Sequence, residues 1–133
     1  WSGTMFEYMM PFLFMPSATK TLLGVSARGA VGAQIRDGER RRRPWGVSES
    51  AYRAFDAAMN YQYRAFGIAE LALSGTDEGG VIAPYACMLA LPAAPERAAQ
   101  NLQEMTAQGL RGECGYYEAL DERRDNEGGV VFS

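Results

Sequence analysis

The chain has 133 residues, 47% of them hydrophobic, which supports one core and predicts a single domain over residues 1–133. Thirteen Lys and Arg residues against sixteen Asp and Glu residues give a net charge of −3, so no field of one sign dominates the surface and no nucleic-acid partner is expected. Histidine is absent, which excludes Ser-His-Asp and Cys-His nucleophiles and histidine metal sites within the chain, and we predict no metal ion or other cofactor.

The start of the chain carries no initiator Met, no basic segment and no signal-peptide cleavage site. We therefore expect a piece of something longer, with other domains of a larger parent chain as partners. The most apolar window, residues 9–15, is interrupted by Pro11 and is far shorter than the ~20 residues of a membrane-spanning helix. No direct membrane insertion by this segment is expected.

The first predicted element is a buried helical segment over residues 4–15, which are almost wholly apolar. Pro11 is expected to bend or restart the helix, because proline lacks the N–H that a helix interior requires. Glu7 is the only charge in this stretch. A carboxylate in such surroundings needs a partner or a function.

A second, amphipathic helix is predicted to follow, with Ser17 as its N-cap and apolar residues at helical spacing to about Arg36. Residues 36–46 (RDGERRRRPWG) combine charge with glycine and proline, which predicts a surface loop. Its four arginines, Arg40–Arg43, could contact an anionic partner. A solvated loop is the favoured interpretation.

The remaining pattern is also interpreted as helical, because regular alternation of apolar and polar residues is hardly seen. Residues 74–80 are predicted to form a loop, and residues 81–91 a buried helix that begins near Pro84. A further helix is predicted to begin at Pro95 and to end at Gly109. Its predicted inner stripe is Ala98, Ala99, Leu102 and Met105.

Three glutamates, Glu7, Glu49 and Glu118, stand beside aromatic and small residues rather than in charged surroundings. Desolvation raises a carboxyl pKa, and glycoside chemistry needs one carboxylic acid and one carboxylate at the same pH. The pattern suits such a pair. From the residues alone, structural glutamates bonded to backbone N–H groups or to arginines are the favoured alternative.

Aromatic residues beside Gly, Pro, Ser or Asn are candidates for sugar binding, because aromatic faces stack on sugar C–H surfaces and polar tips bond hydroxyls. The alternative is that they fill the core. The candidate substrate-binding residues are Glu7, Trp45, Tyr52, Tyr61, Gln62, Tyr63, Tyr85 and Tyr117.

Six segments, in this order, resemble successive motifs of the glucoamylase-like domain of bacterial cyclic β-1,2-glucan synthases and related β-1,2-glucan-acting glycoside hydrolases. They are WSGTMFEYMMP, PWGVSESAY, NYQYRAFGI, VIAPYACMLAL, NLQEM…G and GYYEALD. The resemblance runs from Trp1 to about Asp121. It implies an all-α fold, part of an (α/α)6 toroid of paired helices, which 133 residues would leave incomplete. It also implies that Glu49 and Glu118 are the catalytic pair.

The activity implied by the resemblance is cleavage of β-1,2-glucan with transglycosylation, in which a linear chain is closed into a ring. Glu49 is then the expected general acid/base and Glu118 the nucleophile, with the reverse assignment open. The alternatives are a β-glucan endo-hydrolase and a non-catalytic glucan-binding fragment. The expected partner is a β-glucan oligosaccharide or polysaccharide.

The resemblance further implies a location on the cytoplasmic side of the inner membrane as part of a larger protein, with the periplasm as the alternative. Members of the family continue into a segment rich in His and Gln, which this chain lacks. An incomplete toroid would leave open apolar edges, so we expect self-association and unusual exposure among Phe12, Leu13 and Phe14.

Overall fold

The computed structural model describes residues 1–15, 20–75, 80–123 and 128–132. Within those ranges the chain forms four α-helices, one 3-10 helix and seven short strands. In chain order these are α1 (Met5–Met9), the 3-10 helix (Met10–Leu13), α2 (Leu22–Arg41), β1 (Glu49–Phe55), β2 (Tyr61–Ala65), β3 (Val81–Ile82), α3 (Pro84–Leu89), α4 (Pro95–Ala107), β4 (Arg111–Gly112), β5 (Gly115–Tyr116), β6 (Ala119–Asp121) and β7 (Gly129–Val131).

The expected all-α chain, and with it the (α/α)6 toroid of paired helices, is wrong. Strands β1 and β2 form an antiparallel hairpin, β3, β6 and β7 form an antiparallel sheet in the order β3-β6-β7, and β4 pairs with β5. Helices and antiparallel strands are both present, so the described chain is α+β.

The β1–β2 hairpin closes through a polar turn that begins at Asp56, a residue type that is common in turns. The Asp56 carboxylate accepts the N–H groups of Ala58 at 2.8 Å and Asn60 at 2.9 Å, which is the way an Asp side chain stabilises a turn. Glu49 pairs with Ala65, and the register shifts at a bulge between Tyr52 and Phe55.

The N-terminal segment is helical as predicted, but only part of it is buried: Met5 and Met9 are buried, whereas residues 13–15 are exposed. Helix α1 gives way to the 3-10 helix next to Pro11, as expected for a proline that cannot continue an α-helix. A capping box fixes the start of α1: Thr4 Oγ1 accepts the Glu7 N–H, and the Glu7 carboxylate accepts the Thr4 N–H. Glu7 therefore has the partner that a carboxylate in apolar surroundings requires.

Helix α2 begins and ends later in the chain than predicted. Its N-cap is Thr21, whose Oγ1 accepts the Gly24 N–H at 3.1 Å, and the predicted cap Ser17 lies outside the described residues. The helix continues to Arg41, so the surface loop predicted for residues 36–46 is wrong over its first half. The helix ends at Arg42, which adopts the left-handed conformation at φ 55°.

The arginine run is exposed at Arg40–Arg42, as expected for a solvated segment, but a buried carboxylate pairs with three of its four arginines. Asp37 is 3% exposed and forms ion pairs with Arg40, with Arg41 Nε at 3.1 Å and with Arg43 at 3.6 Å. Positive charge at the C-terminal end of α2 also interacts favourably with the helix dipole. These contacts explain why a sequence with the composition of a loop stays helical to Arg41.

The last two helices begin at prolines, as predicted. Pro84 starts α3, although the residues before it form β3 rather than helix, and Pro95 starts α4. Gly109, at φ +83°, follows the end of α4. In the predicted inner stripe Ala98 and Met105 are buried and Leu102 packs on the core. Ala99 is exposed, and the buried Asn101 takes its place.

Two apolar clusters form the core. The first joins the four helices through Met5, Val31 and Met105, and the second joins the strands through Val47, Phe66 and Val131, with other members of each. The buried segment of residues 44–48 connects them, because Trp45 belongs to the first cluster and Val47 to the second. The first residue of β1, Glu49, follows this segment directly.

One apolar face is open to solvent. Leu13 is 57% exposed and Phe14 81%, which confirms the expected exposure there, whereas Phe12 is partly buried against the first cluster. Within the described ranges, no helix combines the length and the hydropathy that crossing a membrane requires.

Two buried carboxylates make the stability of the fold depend on pH. Burial alone would raise the pKa of Asp37, but hydrogen bonds from Arg41 and Arg40 outweigh it and hold the pKa below its ordinary value. Burial likewise opposes the charge of Asp121, and the Arg123 guanidinium overcomes it, so that the pKa of Asp121 is also lowered. Both groups are stabilised in the charged form.

We expect stability to fall on acidification. A carboxyl whose pKa is lower in the folded state stabilises the fold above its unfolded pKa of about 4, and this contribution is lost as the pH falls through the folded pKa. The urea midpoint should hardly change between about pH 7 and pH 5 and should fall below about pH 4. Asp37→Asn should lower the midpoint at neutral pH and reduce its fall in acid. A midpoint independent of pH down to about pH 2.5 would contradict this.

Candidate active site

Strand β1 places Glu49 on one face of the hairpin. Glu49 pairs with Ala65 and Ala51 pairs with Tyr63. Alternate residues of a strand share a face, and directly paired residues lie on the same side of the sheet. The side chains of Glu49 and Tyr63 therefore lie on the same face as diagonal neighbours. Glu49 is partly buried and Tyr63 is 63% exposed, so the face is reached from solvent.

Glu118 reaches the same strand from the other side. It directly precedes β6, its own N–H donates to Val131 O at 3.1 Å, and its Oε1 accepts the Ala51 N–H at 3.1 Å. The Asp121 carboxylate, at the end of β6, accepts the Arg53 N–H at 2.9 Å. Two carboxylates thus cover the edge of β1 that faces away from β2, and the first of them is held two residues from Glu49.

A second tyrosine comes from α3. The Tyr85 hydroxyl lies 2.8 Å from Ser48 Oγ and 2.9 Å from the Glu49 carbonyl oxygen. Tyr85 is partly buried, at the second residue of α3. It therefore meets β1 at the residue where the strand begins.

The electrostatics of the two tyrosines agree with this placement of the glutamates. Burial raises the pKa of Tyr63, and the negative charges of Glu49 and Glu118 raise it further. Burial also raises the pKa of Tyr85, and the same two glutamates add to the effect. The geometry agrees, because Glu118 is bonded to Ala51, which pairs with Tyr63 and lies two residues from Glu49. Two glutamates that are 118 − 49 = 69 residues apart in the sequence are brought together.

The segment before Glu49 is fixed by side-chain amides. Asn101 bonds both backbone groups of Trp45, accepting its N–H at 3.0 Å and donating to its carbonyl at 2.7 Å. Gln34 does the same for Val47, at 2.9 and 2.8 Å. Between them, Gly46 O accepts the Ala83 N–H at 2.9 Å. Helices α2, α4 and the start of α3 therefore hold three successive residues.

Gly46 cannot easily be another residue. Its φ is +131°, and an added Cβ would lie 3.1 Å from the Ala83 carbonyl oxygen. The close approach that allows the Gly46–Ala83 hydrogen bond thus depends on glycine. This is a physical reason for glycine in the motif PWGVSES.

The structure brings together Glu49, Tyr63, Tyr85 and Glu118 among the predicted site residues. Tyr117 directly precedes Glu118, and its ring packs on Phe132 with the ring centroids 4.8 Å apart. These residues form the candidate active site, and their contact with substrate stays a prediction.

Three other candidates lie elsewhere on the hairpin. Tyr52 is 5% exposed, and its hydroxyl donates to Gln62 Oε1 at 2.8 Å, so this pair occupies the face opposite to that of Glu49 and Tyr63. Tyr61 stacks against Phe55 with 4.6 Å between ring centroids, at the turn end of the hairpin. None of these contacts places the three side chains beside Glu118.

Trp45 and Glu7 have partners within the fold. Trp45 is 6% exposed and belongs to the first apolar cluster. The Glu7 carboxylate accepts the N–H groups of Ser2, Gly3 and Thr4 at 3.0–3.2 Å. Glu7 therefore makes the backbone contacts of a structural glutamate. Because its carboxylate is bonded within the fold, these contacts add no support to its predicted role in substrate binding.

Sequence reasoning missed the residues that hold the site in place. Gln34 and Asn101 lie within helices, where an isolated amide gives no signal of its long-range partner. Asp121 could have been identified from the sequence, because it lies three residues after Glu118 in the same motif and two residues before Arg123. The Arg123 guanidinium binds both Asp121 oxygens, at 2.9 and 2.8 Å, and stacks on Tyr52. In the part of the chain that the structure describes, no cluster of His, Cys, Asp or Glu could hold a metal ion.

Comparison with known proteins relates this arrangement to one family. The sequence model of the Glycoamylase family, described as "Putative glucoamylase", matches residues 1–131. The chain is 42% identical over 122 residues to the cyclic beta-(1,2)-glucan synthase NdvB of Rhizobium meliloti (strain 1021). That alignment covers 91% of this chain and 4% of the synthase, so the chain spans a small part of that protein's length.

Solved structures share the fold. An endo-beta-1,2-glucanase from Chitinophaga pinensis, solved with sophorotriose and glucose, aligns with a TM-score of 0.65 at 17% identity. A protein from Bacteroides caccae with the same glucoamylase description aligns with a TM-score of 0.66 at 20% identity. Each alignment covers 98% of this chain and 32% of the other chain. At these identities the likeness shows a common fold for the matched third.

Proposed function

Because the chain belongs to the Glycoamylase family, we propose that it supplies the catalytic glutamates of an enzyme that cleaves β-1,2-glucan. The proposal takes its substrate from the 42% identical cyclic beta-(1,2)-glucan synthase. The observation that carries it is the hydrogen bond that holds the Glu118 carboxylate on Ala51 of β1, two residues from Glu49 and paired with Tyr63. Glycoside cleavage requires two carboxyl groups at the scissile bond, and Glu49 and Glu118 are the pair attached to β1.

The geometry favours Glu118 as the nucleophile. The Ala51 N–H donates to Glu118 Oε1 at 3.1 Å and so fixes the orientation of this carboxyl group. An oriented carboxylate suits attack on the anomeric carbon. Glu49 is then the general acid, which gives its proton to the glycosidic oxygen as the bond to the anomeric carbon breaks and Glu118 forms a covalent glycosyl intermediate.

The second step decides the product. Glu49, now a carboxylate, removes a proton from the acceptor hydroxyl, which attacks the anomeric carbon and releases Glu118. When the acceptor is the 2-hydroxyl at the far end of the same glucan, the chain closes into a ring with retained configuration. We propose this transglycosylation as the reaction.

Hydrolysis is the second candidate. Tyr63 is 63% exposed beside the two glutamates, so water can reach the point at which an acceptor would attack. With water as the acceptor, the same pair would release linear oligosaccharides, as an endo-hydrolase does. The nature of the products separates the two reactions.

The test is an incubation of the complete protein that carries this sequence with linear β-1,2-glucan, followed by mass spectrometry of the products. We expect rings, which are lighter by one water than linear chains of the same length, and linear fragments would instead support hydrolysis. Linear β-1,3- and β-1,4-glucans serve as controls and should remain intact. If β-1,2-glucan is left unchanged, or all three glucans are cleaved equally, the proposed substrate is wrong.

A further inference from the structure

The Tyr85 hydroxyl is the donor toward two acceptors, the Glu49 carbonyl oxygen at 2.9 Å and Ser48 Oγ at 2.8 Å. A phenol has one proton, so the two acceptors share it. Ser48 Oγ also accepts the Phe6 N–H at 3.1 Å. A continuous chain of hydrogen bonds thus runs from α1 through α3 to the backbone of Glu49.

This series of hydrogen bonds adds to the contacts that hold the residues before Glu49. Asn101 and Gln34 fix the backbone of Trp45 and Val47, and Met5 N–H also donates to Val47 O at 3.1 Å. Tyr85 forms its hydrogen bond with the backbone carbonyl of Glu49, two residues after Val47. This contact from α3 is made to the residue that carries the Glu49 carboxyl. The direction of a side chain follows from the position of its own backbone, so this contact bears on where that carboxyl points.

The Tyr85 hydrogen bond does not vary with pH over the range in which glutamates act. Burial raises the pKa of Tyr85 well above the ordinary value, and the nearby carboxylates raise it further. The phenol therefore keeps its proton, and the bond to Glu49 O persists through the titration of both carboxyls.

We propose that Tyr85 is a positioning residue, whose hydroxyl sets the orientation of Glu49 toward Glu118 by holding the Glu49 carbonyl. This departs from the sequence-based expectation that Tyr85 binds the substrate, because both hydrogen bonds of its hydroxyl are made within the protein. The inference rests on the proposed function insofar as Glu49 is catalytic. Its structural part, the coupling of Tyr85 to Glu49, can be measured without any turnover.

Tyr116 provides a matched control. Its hydroxyl has the same kinds of partner, a carbonyl oxygen (Leu102, 3.0 Å) and a hydroxyl (Thr106 Oγ1, 2.8 Å), but both belong to α4. Tyr85→Phe and Tyr116→Phe thus each remove one phenol oxygen that contacts a carbonyl oxygen and a hydroxyl. An effect of losing such an oxygen that has nothing to do with Glu49 should appear in both variants.

The first measurement is the carboxyl ¹³C signal of Glu49 in protein labelled at glutamate, assigned by its disappearance in Glu49→Gln. We expect the signal to move in Tyr85→Phe and to keep its place in Tyr116→Phe. An unmoved signal in Tyr85→Phe, or an equal movement in both variants, would overturn the inference. This result stands whether or not the protein acts on β-1,2-glucan.

The second measurement separates positioning from binding through the kinetic constants on linear β-1,2-glucan. Misplacement of a catalytic group lowers kcat, and we expect a loss of roughly 10- to 100-fold in Tyr85→Phe, with KM close to that of the wild type. Tyr116→Phe should keep the kcat of the wild type. A raised KM with unchanged kcat would overturn positioning in favour of substrate binding. Absence of turnover in the wild type would instead overturn the proposed function and leave the ¹³C result to decide on Tyr85.

Discussion

Glu118→Gln is expected to lower the turnover of linear β-1,2-glucan by roughly 10³-fold or more, because an amide cannot act as the attacking carboxylate. The substitution is mild for the structure. Glutamine has the same shape, and its amide oxygen can still accept the Ala51 N–H that holds Glu118 against β1. The measurement is the initial rate of product formation, with the unfolding temperature recorded on the same sample.

The control for this variant is Glu70→Gln. Glu70 is an exposed glutamate that pairs with Arg36 on the surface, and its replacement should leave the rate unchanged. Glu49→Gln should be as inactive as Glu118→Gln, since the acid and the nucleophile are both required. Substantial turnover by Glu118→Gln with an unchanged unfolding temperature would show that the reaction does not pass through this carboxylate.

The largest loss of stability is expected for Asp121→Ala, about 3–5 kcal/mol. Asp121 is fully buried, accepts the Arg53 N–H, and binds the Arg123 guanidinium through both oxygens. Its removal leaves a largely buried arginine without its carboxylate and a backbone N–H of β1 without an acceptor. Breaking a buried ion pair in this way costs far more than the pair contributes when intact.

Urea unfolding of Asp121→Ala beside Glu70→Ala tests this expectation. The Arg36–Glu70 pair has side chains that are 60% and 49% exposed, so its loss should cost no more than about 1 kcal/mol. Equal effects of the two substitutions would mean that the Asp121–Arg123 pair is solvated in solution, contrary to the structure. Because Asp121 and Glu118 both hold the edge of β1, Asp121→Ala should also lower turnover at temperatures where it is still folded.

Helix boundaries with local signals were predicted from the sequence. Pro84 and Pro95 start helices because proline suits the first turn, and Pro11 marks the change from α-helix to 3-10 helix. The end of α2 was not predicted, since the composition of a loop is there offset by the ion pairs of Asp37. That effect depends on three arginines meeting one buried carboxylate, which no local pattern displays.

The β1–β2 hairpin was missed for a different reason. A strand with one buried face alternates between apolar and polar residues, but the consecutive residues Ala51 and Tyr52 of β1 are both buried. The alternation of apolar and polar residues that would have identified β1 as a strand is therefore interrupted at these two residues. The Asp56–Asn60 turn was the remaining signal, and it is only five residues long.

The candidate site was predictable only in part. Glu49 and Glu118 were paired through the resemblance to a family, because neither composition nor spacing joins residues so far apart. The amide clamps of Gln34 and Asn101 span 13 and 56 residues of sequence, respectively, so that only the folded chain reveals them. Tyr85 was recognised as a site residue, but its hydrogen bonds to Ser48 and Glu49 indicate positioning rather than binding.

The central claim is that β-1,2-glucan binds where Glu49 and Glu118 meet, and chemical-shift mapping with sophorotriose tests it most directly. A competing location exists, a surface groove of about 400 Å³ between the end of α2 and α4, lined by Arg42, Arg97 and Glu104 among others. We predict that titration shifts the backbone amides of Glu49, Tyr63 and Glu118 and leaves those of Arg97 and Glu104 in place. Shifts confined to the groove residues, with the amides of Glu49 and Glu118 unmoved at saturation, would contradict the account.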